Sequence, residues 1–367
     1  MADKFDNLRI PITAKDRVSG NTPYYGANGI QDYVEGFTHD GEFVLLAEDG
    51  ANDLSNYPVQ YVNGKVWVNN HAHVIAGKKD ALDNKFLMNS LKQINIEPYL
   101  VGGGRAKLNA DVMMRLTLKI SSVDEQIKIG QFFSTLDQTI AFQQRKLENY
   151  QKLKKSLLQK MFPKNNELLP EIRFIGYESN WEQRELGKIY DFLKGKSISL
   201  ESFCFKGNKA IAYGHLYTIY NEVINDVKMY SKENGIKSKK GDILFPGSST
   251  VPNGTAQANA ILLDNIELGG DIIIARAKEN IPNPSFISYQ INSNKGKLYP
   301  ITVGTTITHM YGKDIAKIKY GFPELEEQAK IGRLFSNLDQ TITLHQRKCF
   351  FLNKATILVI KKIMTCF

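Results

Sequence analysis

Two long stretches of the chain place apolar residues at alternating steps of three and four. In the first they fall at Ile129, Phe133, Leu136, Ile140, Leu147, Tyr150, Leu157 and Met161, with Gln143 and Lys154 as polar interruptions. In the second they fall at Ile331, Phe335, Leu338 and Ile342, continue through Phe351 or Leu352 and Leu358 or Val359, and reach Ile363. This heptad-like spacing predicts two helices with apolar seams. The first ends near Phe162-Pro163, where proline disfavours continuation. At a rise of about 1.5 Å per residue, roughly 40 residues make a rod of about 60 Å. A lone rod with an apolar stripe is unstable, so two similar rods predict an antiparallel intramolecular pair. Packing of each rod on its own globular part is the alternative. Elsewhere short apolar runs enter polar turns. Gly41-Glu42-Phe43-Val44-Leu45-Leu46 precedes Ala47-Glu48-Asp49-Gly50, and Gly241-Asp242-Ile243-Leu244-Phe245-Pro246 precedes Gly247-Ser248-Ser249-Thr250. Both read as buried strands ending at a loop.

These parallels extend to a duplication. Residues 123–146 (VDEQIKIGQFFSTLDQTIAFQQRK) align with 325–348 (LEEQAKIGRLFSNLDQTITLHQRK) at an offset of 202, and 15 of the 24 positions are identical. The stretches before them align more faintly, with Phe86 and Phe286 in predicted short helices and Val101-Gly102 matching Val303-Gly304. A period near 200 is too long for a solenoid. The expected organisation is a first globular domain over 1–120, a helix over 121–164, a second globular domain over 165–322 and a second helix over 323–367. The second copy opens with Trp181-Glu182-Gln183-Arg184-Glu185-Leu186-Gly187, a tryptophan-anchored strand whose counterpart would fall before Met1, so the first domain reads as short by roughly 20 residues.

Composition narrows the class. With 42% hydrophobic residues the chain can build ordinary cores, and no apolar run approaches the roughly 20 residues of a membrane span. The N-terminus lacks a cationic-then-apolar export signal, and Cys204, Cys349 and Cys366 fit neither a disulfide framework nor a zinc site; a cytoplasmic protein is expected. The net charge is +9, distributed as −1 over 1–120, +4 over 121–164, +3 over 165–320 and +3 over 321–367. A polyanionic partner would therefore have to be met through local clusters rather than a basic face on the first domain.

Catalytic signals are weak. There is no G-x-x-x-x-G-K-[ST] loop, and Gly102-Gly103-Gly104-Arg105 lacks dinucleotide-binding spacing and reads as a tight turn. His71 and His73 alternate without further ligands nearby. Asn283-Pro284-Ser285-Phe286 loosely resembles an amino-methyltransferase loop but reads better as a helix start. No catalytic, metal or cofactor residue is assigned. Nucleic-acid contact is the stronger reading. Tyr24, Tyr25 and Asn28 sit at a turn, Asn69, Asn70 and His71 offer base-edge donors and acceptors, and Lys78, Lys79, Arg105 and Lys107 make local basic clusters. Lys237, Lys239 and Lys240 precede the Gly241 strand, while Ser248, Ser249, Thr250, Thr305 and Thr306 lie at matching loop ends. A solvated loop or a satisfied core residue is the plain alternative for each.

The duplicated E-Q-x-x-I-G-x-x-F-S-x-L-D-Q-x-I…Q-R-K segments, LLPEIRF with Trp181 and Leu186-Gly187 opening the second half, and PYYGANGIQDYV at 23–34 together resemble the specificity subunits of type I restriction-modification systems. The resemblance covers essentially the whole chain. It implies a mixed α/β protein with two target-recognition domains, each reading one half of a split double-stranded DNA site. It also implies an antiparallel coiled coil that sets the half-site spacing. Two modification subunits that bind S-adenosylmethionine are implied to dock, and motor-nuclease restriction subunits using ATP and Mg²⁺ to join. The chain itself would hold no cofactor and catalyse nothing. A single-chain methyltransferase or nuclease, and a coiled-coil scaffold without a nucleic-acid role, are the competing readings.

Overall fold

A computed structural model describes residues 1–103, 106–164, 167–251, 253–278 and 282–365. The protein is mixed α/β. Two compact units divide it: unit 1 comprises Met1–Arg145 with Arg347–Phe367, and unit 2 comprises Lys146–Gln346. The two long helices, Val123–Lys160 and Leu325–Thr365, each cross this division, so both units own a part of both helices. Their 38 and 41 residues correspond to about 57 and 62 Å.

Unit 1 is built on a six-stranded sheet. Its strands are β1 (Ala2–Lys4), β2 (Ser19–Gly26), β3 (Gly29–Val34), β4 (His39–Ala47), β5 (Val59–Val68) and β6 (Ala72–Gly77), in the order β1-β6-β4-β5-β2-β3. All neighbours are antiparallel except β2 and β5. The unbroken run Phe43-Val44-Leu45-Leu46 in β4 follows from burial on both faces. Val44 and Leu46 join a core with Phe86 and Leu87 of the helix Asn84–Leu91, whereas Phe43 and Leu45 join Val62, Val66 and Val74 on the other side.

Unit 2 repeats this frame. Its main sheet runs Tyr190–Lys194, Ile272–Ala277, Ile243–Pro246, Asn259–Ile261, Val223–Ile224, and as in unit 1 a single pair is parallel, here Asn259–Ile261 with Val223–Ile224. Ile243 and Phe245 face a core with Phe286, and Leu244 faces the opposite cluster. A further five-stranded sheet, Phe203–Cys204, Tyr230–Ser231, Asn208–Ile211, Glu267–Leu268 and Ile236–Lys237, distinguishes unit 2.

The repeated sequence has a structural explanation. Asp83 caps the Asn84–Leu91 helix by accepting the Phe86 amide at 2.8 Å, and Asn283 caps Pro284–Ser293 through the Phe286 amide at 3.0 Å. Gln126 accepts the Asp83 amide and donates to the Ser121 carbonyl, and Gln328 does the same with Asn283 and Pro323. Each long helix is thereby locked to the cap of the short one. The glycine four residues on makes the approach possible: a Cβ at Gly130 would lie 2.7 Å from the Asp83 carboxylate, and one at Gly332 2.5 Å from the Asn283 amide oxygen.

Both packing alternatives for the long helices occur, on different turns. Ile129 and Phe133 lie in the core of unit 1, and Ile331, Phe335 and Leu338 in that of unit 2. Leu147 and Ile342 are buried, Leu136 and Ile140 half-buried. Helix meets helix farther along. In unit 2 the Tyr150 and His345 rings stack at 5.4 Å, Lys154 reaches Asp339 at 2.7 Å, and Phe162, just past the first helix, stacks on Phe335 at 5.7 Å. Rising numbers in one helix meet falling numbers in the other, so the pair is antiparallel. In unit 1, Leu136 and Val359 pack on the same core.

Candidate nucleic-acid interface

A small hairpin recurs in both units in one register. In unit 1 Val101 pairs with Lys107, and in unit 2 Val303 pairs with His309, each 202 residues later. Gly102 and Gly304 open the two turns with φ of +95° and +103°, a region glycine enters at little cost. A Cβ at Gly304 would also lie 2.1 Å from the Ile307 carbonyl. Behind each hairpin the loop following the central strand gives support. The Leu108 amide donates to the Glu48 carbonyl at 2.7 Å, and the Met310 amide to the Gly247 carbonyl at 3.0 Å.

The chemistry on these matched frames differs. In unit 2, Ser248 and Ser249 pair with His309 and Thr308 in a two-stranded ladder and are buried, with Ser248 donating to Asp271. They are scaffold, not contact surface, as their position under the hairpin requires. Thr250, Thr305 and Thr306 stay exposed, beside exposed Val251, Val303 and Ile307. Hydroxyls next to bare methyl groups can address phosphates, base edges and the thymine methyl. The sequence reading missed the aliphatic members, because an isolated valine or isoleucine carries no exposure signal.

In unit 1 the ground beneath the hairpin is charged. Glu48 accepts from Arg9 at 2.6 Å and Lys107 at 2.8 Å. Both ring nitrogens of buried His73 face oxygens, Asp6 at 2.7 Å and the Leu108 carbonyl at 2.8 Å. Burial opposes charge on Asp6, but His73, the Val74 amide and Arg9 outweigh it and hold its carboxyl below the ordinary value. Burial likewise opposes charge on Glu48, and Lys107 and Arg9 bring it below the usual range. Asp6, Glu48 and His73 form the one metal-like grouping among the described residues, and Arg9 and Lys107 already neutralise it. Lys107 is therefore tethered although exposed.

The remaining candidates separate by burial. Tyr24 is 1% exposed, its hydroxyl bonded to the amide and carbonyl of Ile12 and its ring covered by the Arg17 guanidinium; it belongs to the core and is not a stacking platform. Tyr25 is half-buried against the Phe43 cluster, and burial raises its hydroxyl pKa. Asn28 clasps a loop through the Gly50 carbonyl and the Asn52 amide. Asn69 is buried and accepts the His71 amide, while the His71 ring meets Asp49 at 2.6 Å. Asn70, Lys78 and Lys79 are exposed, with Lys78 3.7 Å from Asp3. Arg105 lies outside the described residues.

Lys237, Lys239 and Lys240 are all exposed on a turn whose backbone is fixed from below. The Lys239 and Lys240 amides donate to Asp242 and Asp264, and Arg276 joins buried Asp242 at 2.7 Å while donating to the Lys237 carbonyl. The hydrogen bonds that Arg276 donates to the Asp242 carboxylate raise the Arg276 pKa further. Three cations are thus presented on an ordered turn, a geometry suited to phosphate contact.

A family model described as the type I restriction modification DNA specificity domain matches residues 1–151 and 178–349. A putative type I restriction enzyme specificity subunit from Haemophilus influenzae is 32% identical over 359 residues, 94% of this chain and 87% of its own. A type I restriction enzyme specificity subunit from Methanocaldococcus jannaschii is 22% identical over 78% of this chain and 70% of its own. The solved S subunit of a type I restriction-modification system from M. genitalium superposes with a TM-score of 0.68 over 99% of this chain and 96% of its own; at 15% identity it shares the fold. With the specificity domain matched twice and a near-full-length relative, this chain belongs to the DNA-recognising specificity subunits of type I restriction-modification systems.

Proposed function

We propose that each unit reads one part of a bipartite double-stranded DNA site, unit 2 through the 303–307 hairpin and Thr250–Val251 loop, unit 1 through the 101–107 hairpin. The observation that carries this reading is the matched hairpin, identical in register and different in tip residues. Lys237, Lys239 and Lys240 hold the backbone without reading sequence. The antiparallel helices set the spacing between the half-sites and dock two modification subunits. Methyl transfer with S-adenosylmethionine, and cleavage with ATP and Mg²⁺, belong to the modification and restriction subunits in the cytoplasm; this chain is non-catalytic.

The test is methylome mapping in cells carrying the complex. Thr305→Ala with Thr306→Ala is expected to change bases in one half of the methylated motif, each lost base contact weakening binding roughly tenfold. Replacing the three lysines by alanine is expected to weaken binding to all sequences and to lower the salt slope by about 2–3. A motif unaltered by the threonine substitutions, or turnover by the purified chain alone, refutes the proposal.

A further inference from the structure

We infer that His73 is a buried imidazolium that positions the 101–107 hairpin, so that recognition by unit 1, and not by unit 2, weakens as pH rises. The DNA side of this inference rests on the hairpin reading proposed above. His73 lies in β6 and is 1% exposed. Its Nδ1 is 2.7 Å from the Asp6 carboxylate and its Nε2 is 2.8 Å from the Leu108 carbonyl oxygen. Neither oxygen has a proton to give. A carbonyl carries none, and Asp6 is ionised, because its hydrogen bonds and cationic neighbours outweigh burial and hold its carboxyl below the ordinary value. Both ring nitrogens therefore donate, and a ring that donates twice holds two protons and a positive charge.

The surrounding charges agree with that assignment. Asp6 faces the ring directly, Glu48 lies 3.5 Å from Nδ1, and Arg9 and Lys107 bind Glu48. Asp49 bridges to Lys107 through the backbone and meets the His71 ring at 2.6 Å. Asp6, Glu48 and Asp49 thus stand against Arg9, Lys107 and the charged ring. Two other titratable groups nearby add no charge. Burial, with Asp49 and Glu48, pushes the Tyr57 hydroxyl up to about 12, and burial lowers the pKa of His39. The rival use of this cluster, holding a metal ion, needs a ring nitrogen with a free lone pair, and a doubly donating ring has none.

Unit 2 keeps the frame without the charge. Where His73 pairs with Leu46, Ile273 pairs with Phe245. Gly247 takes the place of Glu48 beneath the hairpin, and Met310, at the place of Leu108, is buried in the apolar core with Ile273. Apolar contact seats the hairpin there, whereas a ring proton seats it in unit 1. A neutral imidazole has one N–H and can serve Asp6 or Leu108, not both. Ionised Asp6 is the stronger acceptor and keeps the proton. Leu108, next to Lys107 on the returning hairpin strand, then loses its donor.

The test begins with the full chain carrying ¹⁵N-labelled histidines, the His73 signals being assigned with His73→Gln. Both ring nitrogens of His73 should be protonated at about pH 6. As pH rises and one proton leaves, hydrogen exchange at the Lys107 and Leu108 amides should quicken. The chain is then assembled with its modification subunits, and binding is compared for duplexes altered in one half-site or the other between about pH 6 and about pH 8.5. Discrimination should fall about tenfold at one half, as for a lost hydrogen bond to a charged group, and stay level at the other. His73→Gln, which has no titrating proton, should abolish the pH dependence. Val101→Asp, which sets a carboxylate on the exposed hairpin strand, should weaken discrimination at the same half at every pH. An unprotonated ring nitrogen at about pH 6, or His73 signals that move on adding zinc chloride, overturns the imidazolium. An equal pH loss at both halves, or an undiminished one in His73→Gln, overturns the positioning role. If Val101→Asp acts and pH does not, this inference fails while the hairpin reading stands; if neither acts, the hairpin reading itself fails.

Discussion

Replacing Lys154 by methionine tests whether the helix pair is held by a specific polar lock rather than by its apolar seam alone. The Lys154 ammonium lies 2.7 Å from Asp339 and 2.9 Å from Glu222, and Asp339 also accepts from the Tyr289 hydroxyl at 2.6 Å. The side chains of Lys154, Asp339 and Glu222 are 15%, 17% and 19% exposed, so water screens them little. Methionine keeps most of the volume and removes the charge, leaving two carboxylates facing each other. Breaking a buried pair costs about 3–5 kcal/mol, and partial exposure puts this case near 3 kcal/mol. With a urea slope of about 2 kcal/mol per molar, the midpoint should fall by about 1.5 M. The sign of the pH effect is fixed by Asp339, whose carboxyl burial raises above its ordinary value despite Lys154. A raised acid destabilises the fold once ionised, and losing the lysine raises it further. The penalty should therefore be larger at pH 7.5 than at pH 5. Trp181 fluorescence reports on unit 2, and Trp67→Phe removes the other of the two tryptophans. Adding Asp339→Asn, which can still accept from Tyr289, should recover at least half of the loss. A loss under about 1 kcal/mol, or one equal at both pH values, would mean that the seam alone carries the pairing.

Two further outcomes follow from the frame. Gly130→Ala and Gly332→Ala push a methyl group into the cap oxygens of Asp83 and Asn283, and each should cost about 1–3 kcal/mol in thermal unfolding. Gly103→Ala, where a Cβ meets open space, should stay within about 0.5 kcal/mol; comparable costs at all three sites contradict the clamp. Asp6 and Glu48 have carboxyls held below their ordinary values, so their contribution is present above the usual carboxylate range of about 4 and is lost as pH falls through and below it. Arg9→Met relieves part of that depression and should flatten the acid limb of a calorimetric stability profile between pH 7 and 3; parallel acid limbs refute the assignment.

The long helices and the duplication were legible because they are local and repeated. A seam at steps of three and four needs no tertiary knowledge, and an offset of 202 is arithmetic. The same offset locates the hairpins, since the φ of about +100° at both turns is one that glycine enters at little cost. What stayed hidden depends on who covers whom. Tyr24 and Ser249 look as polar as Thr305, yet the first is closed over by Ile12 and Arg17 and the second by the ladder to Thr308. Lys154 reads as a flaw in the seam until Glu222, 68 positions away, arrives beside it. Gln126 and Gln328 stand out by identity, but their task emerges only with the caps they hold.

The way the two copies diverge separates the shared scaffold from the hairpin tips proposed to read DNA. Asp339 is locked by Lys154, while its repeat partner Asp137 is exposed, and Thr356 stands at the position matching Lys154 with its hydroxyl turned to the Leu352 carbonyl. A shared residue type therefore does not guarantee a shared interaction. The opposite holds at the hairpins, where Val101–Lys107 and Val303–His309 keep one register while Gly103 in one copy faces Thr305 in the other at the next position. The clamp of glutamine, glycine and cap recurs in both copies, and each member meets backbone. In unit 2 the tip presents exposed Thr305, Thr306 and Ile307, so substitutions there should change little core energy. If the tips read DNA as proposed, this division lets the contact residues change without refolding, and the duplicated frame lets each half change independently.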